Sequence, residues 1–183
     1  MGTMTVLPRS RPLTRADLAS MPDDGHRYEL IDGVLVVTPA PGFRHQVVLA
    51  ELNDRLRQGC PEGLTVLFAP FAVALSEDTE LQPDLIVAAT ADFTSRELPQ
   101  APLLAVEILS PSTRRIDLTL KRDRLEAAGC EAYWCIDPDE LTLTAWQLEH
   151  GRFIEVAHVS GDETFETERP FPISIRPAEL DPH

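Results

Sequence analysis

Two strand-like apolar runs of this sequence each carry a carboxylate where a hydrocarbon side chain would pack better. Asp84 opens Leu85-Ile86-Val87-Ala88-Ala89, and Glu107 interrupts Leu103-Leu104-Ala105-Val106 before Ile108-Leu109. Burying an unpaired carboxylate is costly, so the fold must compensate both. If the two strands lie side by side, the acids meet at a shared divalent cation, with Lys121 close by on the element that follows.

Each of these residues also has an ordinary structural use. An Asp after Pro83 suits a turn, because its side chain bonds nearby backbone amides. Glu107 is the stronger signal, since Glu is almost never fully buried unless paired. Lys121 stands four residues after Asp117, so on a helix the two share a face, as a surface ion pair would. His45, beside Arg44 at a helix start, suits contact with a phosphate or work as a base, and equally an exposed position. Ser110 and Ser112 lack a Gly-x-Ser-x-Gly context, and Trp134 and Trp146 read as packing residues.

The elements that must position these groups follow from periodicity and turn residues. Thr14 and Asp17 mark the start of a short helix that Pro22 ends. Two β-prone runs over 26–37 flank Asp32-Gly33, the signature of a type I′ hairpin. Val47, Val48, Leu49, Leu52 and Leu56 recur at helical spacing over 43–58, and Gly59 closes that helix. Strands are expected over 64–69 and 71–75, then a polar connection over 76–80, the buried strand after Pro83, a polar loop over 91–102 and the buried strand 103–109. Ser112 or Thr113 caps a helix reaching Ala128, with Gly129 as its stop. A strand over 132–137, a hairpin over 141–159 and a last strand over 171–175 complete the chain. This order predicts an α/β (α+β) fold: a central mixed β-sheet flanked by helices, with additional β-hairpins.

The whole chain sets wider bounds. Its 183 residues are one domain's worth, enough to bury roughly 70% of the surface the unfolded chain exposes. Residues 1–12 read as a mobile arm and 13–183 as a single domain. No apolar run approaches the roughly 20 residues of a membrane span, and no apolar segment follows the basic N-terminus, so the expected location is the cytoplasm. The three cysteines lack CxxC spacing and read as free thiols, not zinc ligands. A net charge of −14 weighs against binding a phosphate backbone. Against that, Arg96, Arg114, Arg115, Lys121, Arg122 and Arg124 gather in sequence around the proposed site.

Six strings occur in order: YELIDG at 28–33, APG-x-RHQ at 40–46, QPDLIV at 82–87, VEILSPST at 106–113, D-x-x-x-K at 117–121 and AYWCIDP at 132–138. Together they resemble the bacterial restriction endonucleases of the Uma type, a branch of the PD-(D/E)xK nuclease superfamily. The resemblance implies a restriction-endonuclease-like core with a divalent-metal site at the strand ends. It makes Asp84 and Glu107 the metal-binding acids. The superfamily lysine, two residues beyond the second acid, is replaced here by Leu109. The branch places it on the next helix, where Lys121 matches, and Glu29 matches a further acidic position. The chain departs from the family at Leu125, where a tyrosine is usual, and at Glu131-Ala132, where Pro-Glu is usual.

What the resemblance implies chemically is hydrolysis of DNA phosphodiester bonds. That reaction needs a nucleophilic water and stabilisation of charge on the phosphoryl oxygens, both of which a divalent cation supplies. Mg²⁺ (or Mn²⁺) prefers oxygen ligands and keeps several waters, so the carboxylates of Asp84 and Glu107 suffice in number. Lys121 then orients the water or neutralises developing charge, with Glu29 as an accessory acid. DNA is the expected partner, with no membrane. A homodimer would suit cleavage of both strands. Two alternatives stay open: a non-catalytic nucleic-acid- or protein-binding relative, and a hydrolase of small phosphorylated substrates.

Overall fold

The computed structural model describes residues 11–181; most of the expected 1–12 arm lies outside them. Thr14 and Asp17 start α1 (Arg15–Leu18), with the Asp17 carboxylate accepting the Thr14 amide at 2.8 Å. The first hairpin joins β1 (Arg27–Ile31) to β2 (Val34–Thr38). Asp32 (φ 51°) and Gly33 (φ 74°) both take the left-handed conformation that a type I′ turn requires. A Cβ on Gly33 would fall 2.5 Å from that of Pro12, so this turn also admits a close chain crossing.

After α2 (Phe43–Gly59) come β3 (Leu64–Phe68), β4 (Ala72–Ser76), β5 (Thr79–Leu81), β6 (Leu85–Ala89), β7 (Glu97–Leu98) and β8 (Leu104–Ile108). The 76–80 connection and the 91–102 loop therefore hold strands, β5 and β7, too short to show a two-residue period. Residues 114–128 form one continuous helix in three parts: α3 (Arg114–Ile116), a π turn (Asp117–Lys121) and α4 (Arg122–Ala128). Gly129, at φ 87°, supplies its left-handed stop. Then follow β9 (Ala132–Asp137), β10 (Thr142–Glu149), β11 (Arg152–Ser160), β12 (Phe165–Thr167) and β13 (Ile173–Ile175). Sequence pattern gave no sign of β12.

The expected central mixed sheet has six strands in the order β11-β10-β9-β8-β6-β3, with only β8 and β9 parallel. The hairpin strands build a second sheet, β2-β1-β5-β4-β7. Because side chains alternate along a strand, the central sheet presents two different faces. Leu85, Val87, Leu104, Val106, Trp134 and Ile136 face Val48, Leu49, Leu52 and Leu56 of α2. Ile86, Ala88, Ala105, Tyr133 and Cys135 face the other way, toward Ile31, Val73 and Leu81 of the second sheet and Leu125 of α4. Each fully buried Leu contributes about 1.5–3 kcal/mol through its burial, and two such layers hold the central sheet rigid. No helix among the described residues is long and apolar enough to cross a membrane.

Candidate active site

Glu107 follows Ala105 by two, so it shares the face turned toward the second sheet. β6 and β8 pair antiparallel as Leu85↔Val106, Ile86↔Ala105 and Val87↔Leu104. One step further along this register sets Asp84 against Glu107, so the side-by-side arrangement expected from the sequence is met. On β1 the same alternation turns Arg27, Glu29 and Ile31 toward the central sheet, while Tyr28 and Leu30 pack against α1. Asp117 and Lys121, four residues apart on the π turn, complete the cluster.

The geometry is tight. Lys121 Nζ lies 3.0 Å from Glu29 Oε2, 3.0 Å from Glu107 Oε1 and 3.2 Å from Asp117 Oδ1. All these side chains are buried, with Lys121 only 2% exposed. Asp117 Oδ1 is paired with the ammonium by charge and has no other partner among the described residues. Glu29 Oε1 accepts the Gln82 amide at 2.8 Å. Asp84 is held separately: Oδ1 accepts from Arg27 Nη1 at 2.8 Å, and Oδ2 accepts from the Ile108 amide at 2.8 Å and lies 3.0 Å from His45 Nε2.

The π turn explains how the helix presents its two charged residues. Hydrogen bonding to i+5 widens the backbone and leaves a carbonyl without its ordinary partner. Here Tyr133 Oη, reaching over from β9, donates to the Asp117 carbonyl at 2.9 Å.

Charge in the cluster is unevenly compensated. Burial pushes Asp84 up, but His45, Arg27 and the Ile108 amide together outweigh it and hold its carboxyl below the usual range. Burial pushes Glu107 well above the ordinary carboxylate value, more than Lys121 offsets, and Asp117, Asp84 and Glu29 add to the rise. Burial also raises Asp117. Lys121 is pulled down by burial but held well above the ordinary lysine range by Glu107, Glu29, Asp117 and Asp84. Four carboxyl groups thus share one ammonium and one guanidinium, so full ionisation of all four calls for a further cation.

A cavity of about 110 Å³ opens onto this cluster, with Arg27, His45, Asp84, Glu107, Asp117 and Lys121 among its lining and the Pro39–Pro41 and Ser110–Thr113 segments as its walls. Through Arg27 and Pro39–Pro41 it adjoins a groove of about 960 Å³. Among the described residues, no three His, Cys, Asp or Glu side chains form a ready-made metal centre. Two carboxylates are nevertheless the number Mg²⁺ takes when a phosphate supplies further oxygens. The donor set fits such an ion: it is all oxygen, its carboxyl groups outnumber the cations beside them, and one buried carboxylate oxygen, Asp117 Oδ1, has only its ion pair with Lys121.

The Uma2 family model, described as "Putative restriction endonuclease", matches residues 15–181. The chain belongs to the Uma2 family. No curated protein matches it. It is similar in fold to a solved structure described as a "putative nuclease belonging to DUF820" from Anabaena variabilis ATCC 29413. The TM-score is 0.75 at 19% identity, covering 93% of this chain and 98% of that one. The restriction-endonuclease-like fold expected from the six strings is therefore the fold present.

Within this Uma2 chain, all four residues singled out from the sequence, Glu29, Asp84, Glu107 and Lys121, come together. The two positions that depart from the family pattern, Leu125 and Ala132, are fully buried in the apolar layers. His45, left open between use and idleness, contacts Asp84. Sequence reasoning missed Arg27, whose signal was the alternation Arg27-x-Glu29-x-Ile31. It also passed over a count: Lys121 is the only lysine among 16 basic residues.

Proposed function

We propose that this protein is a metal-dependent endonuclease that hydrolyses DNA phosphodiester bonds. The observation that carries this reading is the convergence of Asp84, Glu107 and Lys121, drawn from three separate elements, on one small cavity beside a larger groove, with Glu29 of the second sheet 3.0 Å from the Lys121 ammonium. Asp84 and Glu107 would hold Mg²⁺ or Mn²⁺. The chemistry such an ion supplies when bound is acidification of a water and Lewis-acid polarisation of the phosphoryl group. Asp84, kept ionised by its three hydrogen-bonding neighbours, has four lone-pair directions, of which these neighbours use three. Lys121 presents a fixed ammonium within the dry cluster, where a positioned cation stabilises developing phosphoryl charge more than it would in water. Glu29 fixes that ammonium from the second sheet.

A second reading, hydrolysis of a small phosphorylated substrate, draws on the charge distribution. Arg11, Arg15, Arg44, Arg55, Arg114 and Arg124 are each paired with carboxylates, which leaves few cations free for a long phosphate backbone.

Supercoiled plasmid and single-stranded DNA, each incubated with Mg²⁺, Mn²⁺ or chelator, test the first reading with wild type and Asp84→Ala. We expect metal-dependent nicking that is lost in Asp84→Ala and weakened in Glu29→Gln. Equal cleavage by wild type and Asp84→Ala would remove Asp84 from the site. No cleavage by wild type would favour the small-substrate reading or a non-catalytic binding role.

A further inference from the structure

Arg27 stands where the small cavity and the long groove meet, and it is the only basic residue lining both. A guanidinium has five N–H donors. Two of Arg27's, both on Nη1, are engaged: one with Asp84 Oδ1 at 2.8 Å, the other with the Gln82 carbonyl at 3.1 Å. Nε and Nη2 make no hydrogen bond to any described residue, and the side chain keeps 18% exposure, unlike the sealed Lys121. Among the described residues Arg27 is also the sole hydrogen-bond partner of Asp84 Oδ1, whereas Oδ2 has two. Of the other two arginines lining the groove, Arg15 is spent on Glu80 and Glu97, and Arg96 does not line the small cavity that holds Asp84.

We propose that Arg27 serves two partners in turn: it holds Asp84 Oδ1 while the groove is empty and transfers to a substrate phosphate when a nucleic-acid strand enters, leaving that oxygen free for the divalent cation. This rests on the reading of the site given above. The chemistry favours the exchange. Arg27 gives Asp84 only one hydrogen bond, whereas a guanidinium can grip a phosphate with two, so the bond given up is replaced in full. Asp84 keeps its His45 and Ile108 contacts throughout, so its orientation survives the transfer. The consequence is linkage: nucleic acid and cation each tighten the other's binding, because each relieves the cost of separating Arg27 from Asp84.

The test is equilibrium binding, read without turnover. Mn²⁺ affinity is measured by titration of the full chain with and without a hydrolysis-resistant phosphorothioate DNA duplex, for wild type, Arg27→Met and Arg27→Lys. Binding of the same duplex in chelator is followed against salt. Wild type should bind Mn²⁺ about tenfold more tightly with the duplex present, a typical coupling factor. Arg27→Met should bind Mn²⁺ more tightly than wild type without DNA and lose the coupling. Its duplex affinity should fall, with a salt slope shallower by about one phosphate contact. Arg27→Lys keeps the charge but not the fork and should fall between, which separates exchange from general loss of charge. Circular dichroism melts of both variants verify folding. If Arg27→Met weakens Mn²⁺ binding without DNA, or leaves the coupling intact, Arg27 is structural support for Asp84 and the proposal fails. Absence of Mn²⁺ binding in every sample overturns the cation reading and this proposal together. Coupling through Arg27 in a protein that cleaves nothing upholds the exchange while overturning hydrolysis.

Discussion

Glu107 and Asp84 face each other across a strand pair, yet their environments drive their protonation in opposite directions. The folded chain without a divalent cation binds a proton at Glu107 more readily than the unfolded chain does. That contribution to stability is complete below the unfolded carboxyl value of about 4.3, and it is lost as pH rises through the raised folded value. Asp84, depressed in the folded state, contributes above its unfolded value of about 3.9 and loses this as pH falls. Urea unfolding in chelator, compared between wild type and Glu107→Gln, isolates the first effect. The stability difference should shift in favour of the variant as pH rises, and Mg²⁺ should reduce the shift by stabilising the ionised wild-type site. A pH-independent difference would mean that Lys121 alone neutralises Glu107. Both acids were legible in the sequence because Glu107 interrupts an apolar run and Asp84 opens one. Arg27 was not, because an arginine at the start of a strand has no meaning until the register between two sheets is known.

At the scale of elements, the π turn is the least ordinary backbone in the molecule, and Tyr133 is what satisfies it. Tyr133→Phe keeps the ring contacts with Trp146 and Phe153 but removes the donor to the Asp117 carbonyl. Losing that buried hydrogen bond should cost about 0.5–1.5 kcal/mol. Denaturant unfolding should show that loss, and hydrogen exchange should accelerate over residues 117–121 before the flanking α-helical turns. Unchanged exchange would mean that the turn is held by apolar packing alone. The helix over 114–128 could be read from its cap and its Gly129 stop, but the π turn could not. Nothing local distinguishes i+5 from i+4 bonding; the widening depends on a hydroxyl supplied by the next strand. The strands β5 and β7 escaped notice for the related reason that two or three residues carry no period of their own.

At the scale of the molecule, reactive side chains report which layers are closed. Cys130 and Cys135 lie inside the layer between the sheets, where burial pushes the Cys130 thiol up to about 12 and the Cys135 thiol higher still. Cys60 is only half-buried. A maleimide should therefore modify Cys60 alone in the native protein, and all three cysteines after unfolding. An amine-reactive ester should likewise spare Lys121 until the chain unfolds, a readout made simple by the single lysine. Early labelling of Lys121 would show that the cluster opens on its own. The mixed sheet and its helices were foreseeable from alternating and helical patterns, whereas the pairing of the hairpin strands into a second sheet was not, since it depends on contacts distant in sequence. That pairing bears on synthesis at the ribosome. Glu29 emerges early and Lys121 late, and the two meet only after the first sheet has docked on the strands between them. A chain cut short between residues 117 and 121 has the acids without the ammonium that binds three of them, so such a product of translation lacks the full constellation. The cluster cannot close until both sheets that carry it have been made.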